Sequence, residues 1–178
     1  MNIKNKLKLI SAIVLSFALI IISITIKDAI QTRDSIVRVK ELNHLSQKLS
    51  LLIHETQKER GASAGFLGSG GKKFATILPK QRVLTTRRLK ELNQYLKTLD
   101  TSNFSTQLQN AILAFQKDIS KITQIRSQIS SLSISVKDEV KYYTNLNKKI
   151  LDIVSLTAKL AEDPALIKSL NAYSNFLK

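Results

Sequence analysis

The chain has no cysteine and no tryptophan, and only two prolines and five glycines in 178 residues. Without cysteine there is no disulfide framework and no thiolate metal site. Without turn-forming residues a strand-rich fold lacks its punctuation. What remains is rich in Leu, Ile, Ser and Lys and 43% hydrophobic, which predicts an all-α protein. Acids are also scarce, 13 against 28 lysines and arginines, for a net charge of +15. Such an excess attracts anions of any kind. The bases are scattered, with no Arg-rich tract or aromatic-interleaved basic patch, so nucleic acid is not an expected partner.

One charge-free run is long. Leu9 to Ile26 is eighteen residues, about 27 Å as a helix against a hydrocarbon thickness of about 30 Å. Lys4, Lys6 and Lys8 precede it, which orients residues 1–8 to the cytoplasm and residues 28–178 to the outside of an inner membrane. The run exceeds a signal-peptide core, and Ser-Ile-Thr-Ile-Lys-Asp is a poor cleavage site, so an uncleaved anchor over 9–26 is expected.

Beyond the anchor, apolar residues recur at helical spacing. Leu42, Leu45, Leu49, Leu52 and Thr56 step by three and four, the mark of an amphipathic helix continuing from the membrane. The spacing predicts further helices at about 73–99, 104–130 and 136–161, and another from Ala165 onward. Pro79 either kinks the second or marks its start. Asp100 to Asn103 is a polar turn with cap candidates, and Ser135-Val136-Lys137-Asp138 is an N-cap with an acidic first turn. Long helices with short connections give an antiparallel up-down bundle, a four-helix bundle in its simplest form. The last helix is still running at Lys178, and a chain incomplete at its C-terminus is the expectation.

All five glycines fall between Gly61 and Gly71. Gly68, Gly70 and Gly71 suit a turn. Gly61 and Gly65 bracket Ala-Ser-Ala, a small-residue pattern that lets a helix or ligand approach closely. Arg60 precedes them. Seven residues to either side are Ile53 and Leu67, which puts Arg60 on a packing face, and no carboxylate lies three or four residues away. A buried arginine must meet an anion. Two readings stay open, an ion pair with an acid on another helix or a bound oxyanion held by the guanidinium fork. Gln57, Gly61 and Ser63 are its neighbours in either case.

Motifs for chemistry are missing. His54-Glu55 begins a zinc-protease helix, but Lys58 stands where the second histidine belongs. A phosphate loop ending at Lys72 would need glycine at Phe66 and a hydroxyl at Lys73. Two histidines do not make a metal site, and no nucleophile set is readable. No enzyme, metal or cofactor is expected.

The stretch His54-Glu55-Thr56-Gln57-Lys58-Glu59-Arg60-Gly61-Ala62-Ser63-Ala64-Gly65-Phe66-Leu67-Gly68-Ser69 resembles the opening signature of the nitrate- and nitrite-sensing (NIT) domain. Gln81-Arg82, Tyr142 to Asn147 and Ala172 to Lys178 also resemble it, so that the likeness covers about 35–178. The resemblance implies an all-helical extracytoplasmic sensor of the kind found in chemoreceptors, with nitrate or nitrite between helices and Arg60 as anion ligand. It also implies a second arginine from a Lys-Glu-Arg-type stretch after the segment matching 172–178, a second membrane helix and a signalling module, none of which is in this sequence. A homodimer would suit such a receptor. The alternative is a helical interaction or dimerisation module without a small ligand, with the Gly/Ala segment as its seam.

Overall fold

The structure is a computed structural model that describes residues 2–161. It divides into two units, one whose described residues are 2–40 and one of residues 41–161. Five α-helices account for nearly all of it: α1 Ile3–Gly68, α2 Ile77–Thr98, α3 Thr106–Ile119, α4 Ile122–Ser130 and α5 Val136–Ala161. The fold is all-α, as composition and periodicity predict. The helix expected from Ala165 onward lies outside the described residues.

In the first unit, α1 carries the chain's apolar run. It is the one described helix long and apolar enough to cross a membrane. Its large apolar side chains from Leu9 to Ile26 are about half exposed or more, which suits a lipid surrounding better than water.

The second unit is a four-helix bundle made by residues 41–68 of α1, by α2, by α3 and α4 together, and by α5. Tyr95 bonds to the Glu41 carbonyl and Gln81 to Glu55, so α2 runs antiparallel to α1. Thr56 meets Asn147 and Tyr143 meets Glu59, which sets α5 antiparallel to α1 as well. The core is continuous, from Leu42, Leu45, Leu49 and Leu52 on α1 through Leu92, Leu108, Phe115 and Ile129 to Leu146, Ile150 and Ile153 on α5. Each such side chain contributes about 1.5–3 kcal/mol on burial.

The single helix expected at 104–130 is two. It breaks at Ser120-Lys121, and Ser120 caps α3. The core stripe Phe115, Ile119, Ile122, Ile129 runs through the break, which is why periodicity alone did not expose it. The expected break before Val136 is present, and Ser135 caps α5 by accepting from the Asp138 amide at 3.1 Å. Asp100 caps a short 3-10 turn, Thr101–Asn103, while the α3 cap is Ser105, beyond the stretch expected to hold it. Pro79 sits in the first turn of α2, where a missing N–H costs no helical hydrogen bond. It marks the start of that helix and does not kink it.

The glycine cluster divides. Gly71 donates to the Phe66 carbonyl and Gly70 to that of Leu67, and φ is 62° at Gly70. This is a Schellman end, which needs the left-handed conformation. The same bonds close α4, where Leu132 takes the left-handed position with φ 56°. Leu132 is therefore a half-exposed turn residue and not part of the core. A Cβ on Gly65 would lie 2.4 Å from the Phe74 ring. The close approach comes from the connecting loop and not from a partner helix.

Candidate functional site

From Leu52 onward the buried face of α1 turns polar. Thr56, Glu59 and Ser63 follow it at three- and four-residue steps, each with no exposed surface. Glu59 is the centre. Arg126 of α4 grips its carboxylate with two donors, Nε to Oε1 at 2.6 Å and Nη2 to Oε2 at 2.7 Å. Tyr143 Oη of α5 donates to Oε1 at 2.8 Å. Arg82 of α2 stands 3.9 Å away through Nε and holds Ser130 Oγ and the Arg126 carbonyl with its other nitrogens. Arg126 also reaches Thr86 Oγ1 at 2.9 Å. A buried charge persists only when paired and hydrogen-bonded, and here one carboxylate ties four helices together.

The charges respond as this geometry requires. Burial opposes charge on Arg126, but the Glu59 hydrogen bonds and charge outweigh it and hold its pKa above the usual arginine value. At Arg82 burial prevails over Glu59 and the pKa is lowered. The Tyr143 hydroxyl is pushed far up, first by burial and then by the Glu59 charge.

Arg60 lies one residue off this face and is half-buried, as are Ile53 and Leu67. Its Nη1 donates to Thr144 Oγ1 at 3.1 Å, and among the described residues it has no carboxylate within ion-pair distance. Ser63 is buried and its Oγ has no hydrogen-bond partner. Gln57 and Gly61 are exposed, and a Cβ on Gly61 would meet no described atom within 4 Å.

The acid on the buried face is thus Glu59, next to the arginine to which sequence pattern gave the packing position. The signal was available, since Leu52, Thr56, Glu59, Ser63 continues the three-four stripe of Leu45 and Leu49. Arg82, Arg126 and Tyr143 could not be placed in the same way, because each comes from another helix. Gln81, Arg82 and the Tyr142–Asn147 segment do converge on the His54–Ser69 stretch: Gln81 Nε2 to Glu55 Oε2 at 2.7 Å, Thr56 Oγ1 to Asn147 Oδ1 at 2.6 Å, and the Tyr143 and Thr144 contacts. The Ala172–Lys178 segment lies outside the described residues. Among the described residues no group of three His, Asp or Glu could hold a metal.

Comparison with known proteins gives two findings. The family model for nitrate and nitrite sensing matches residues 51–178. A solved structure of the NasR transcription antiterminator superposes with a TM-score of 0.67 at 19% identity. That match covers 84% of this chain and 38% of the other, so the chain spans well under half of that molecule, and at this identity the likeness is one of fold. No curated protein sequence matches.

Proposed function

Because the chain belongs to the nitrate- and nitrite-sensing (NIT) family, we propose that it is a membrane-anchored sensor domain that binds nitrate or nitrite at Arg60. The observation that carries this is the state of two arginines. Arg126 has its charge neutralised by Glu59, whereas Arg60 has one neutral hydroxyl and keeps unused donors. A planar oxyanion matches that fork of donors. Ser63 is a nearby hydroxyl donor, and Gln57 and Gly61 flank the arginine on the outer side. A carboxylate on Arg60 would favour the alternative of an interaction module without a small ligand, and the described residues offer none within 4 Å.

Residues 9–26 cross the inner membrane in this reading, with 1–8 in the cytoplasm and 28–178 outside. One helix, Ile3–Gly68, contains both the apolar run and Arg60. A ligand that favours one packing of the bundle over another would transmit its presence along that helix. Pairing of two such chains would suit the role.

Isothermal titration of the full chain in lipid nanodiscs with nitrate, wild type against Arg60→Ala, tests the ligand. A loss of about tenfold or more in affinity is expected for one lost charge-assisted pair. Equal affinity in the two proteins rules out the role given to Arg60. The chain has no cysteine, so Asn5→Cys and Asn93→Cys each create a single thiol. Only the second should react with a membrane-impermeant reagent on intact cells.

A further inference from the structure

α1 and α5 meet along a polar seam with a constant register. Thr56 pairs with Asn147, and Glu59 with Tyr143. One helical turn forward on α1 is matched by one turn back on α5, the spacing of stacked positions on each helix. Carried one turn further, that register sets Ser63 opposite Glu139. Both residues have 0% exposure. Yet Ser63 Oγ and both carboxylate oxygens of Glu139 are without a hydrogen-bond partner. The first two rungs each carry a hydrogen bond, with Asn147 Nδ2 left unpaired in the first, whereas the third carries none. Buried polar atoms without partners are rare in native proteins and call for an explanation.

The charged groups that act on Glu139 are Arg60 and Glu59, both from α1. Glu59 is taken up by Arg126 of α4, Arg82 of α2 and Tyr143 of α5. Arg60 is the cation left to work with Glu139. We infer that Ser63 and Glu139 form the proton-linked wall of the anion site at Arg60. Without ligand, Glu139 supplies a counter-charge to Arg60 from beyond ion-pair distance. When an oxyanion binds, the Glu139 carboxylate takes one proton from solvent, and the resulting O–H and the Ser63 hydroxyl can donate to the anion's oxygens. This rests on the anion-binding reading of Arg60.

The physical reason is that two anions cannot share one buried site. Burial already raises the Glu139 pKa to about 7, against the pull of Arg60 and with help from Glu59. A bound anion raises it further. Proton uptake therefore accompanies binding above pH 7, and affinity falls there by up to about tenfold per pH unit.

The test is calorimetric titration of the full chain in nanodiscs with sodium nitrate at about pH 6 and about pH 8, in two buffers of different ionisation enthalpy. The wild type should take up close to one proton per nitrate at the higher pH and bind up to about tenfold more weakly there. Glu139→Gln should take up none and bind equally at both. The two exposed histidines, His44 and His54, are common to both proteins, so the difference isolates Glu139. The proton count on the wild type needs no variant. A wild type that takes up no proton, or a Glu139→Gln protein that keeps the wild-type pH dependence, overturns the inference and leaves anion binding standing. No binding by either protein at either pH overturns the anion reading itself, and this inference with it.

Discussion

Arg126 and Arg60 both reach into the same bundle from partly buried positions, and they end in opposite states. Arg126 meets a wholly buried carboxylate with paired donors, and Tyr143 and Arg82 complete its surroundings. Arg60 meets one hydroxyl, while the buried acid on the facing helix, Glu139, bonds to nothing. The first arrangement is a structural joint closed at its carboxylate, although Arg82 Nε, 3.9 Å away, makes no hydrogen bond. Its desolvation cost is offset by ideal geometry, and removing either half would expose that cost. The second is an unfinished one. A protein tolerates unsatisfied buried groups chiefly where a ligand, proton or motion completes them.

The largest expected effect breaks the finished side. Arg126→Ala leaves Glu59 buried and unpaired and should destabilise the bundle by about 3–5 kcal/mol, read as a lowered midpoint in urea or thermal melting of the full chain. Next comes the unfinished side, with the opposite sign. Glu139 has a folded pKa of about 7 against an ordinary 4.5, so the fold holds its proton more tightly than the unfolded chain does. Its stability contribution is present in full below pH 4.5 and is lost as pH rises through 7. Glu139→Gln should then stabilise the protein by roughly 1–3 kcal/mol at pH 8. That gain should shrink toward acid, which melting across pH would follow. Of similar or smaller size is a control outside both regions. Gly65→Ala drives a methyl into the Phe74 ring, at about 1–3 kcal/mol, with the pH dependence unchanged. The smallest effect on stability belongs to Arg60→Ala, within about 0.5 kcal/mol, beside the loss of nitrate affinity. A large destabilisation there would make Arg60 a joint like Arg126 and erase the contrast.

Much of the architecture was legible in the order of residues. The leucine stripe at 42–52, the Ser135 cap and the glycine turn at 70–71 are local devices, and each acts where the sequence puts it. The break at Ser120-Lys121 was not legible, because isoleucines keep the stripe in phase across it. Arg60 was found by its motif, but its face was read one residue out of place. The helical step from Thr56 selects Glu59, and hydropathy gives no reason to expect an acid in a core.

The sequence alone determined that the chain is helical, where it turns, and that one segment is apolar enough for a membrane. These follow from periods of three and four residues, from glycine's freedom at positive φ and from the length of one apolar run. Only the tertiary structure decided which charges cancel. Glu59 finds Arg126 sixty-seven residues away and Tyr143 eighty-four away, while Arg60 and Glu139 are left without such partners. Pairing between buried charges depends on helix register across the bundle, to within one residue on each side, and no local pattern carries that information.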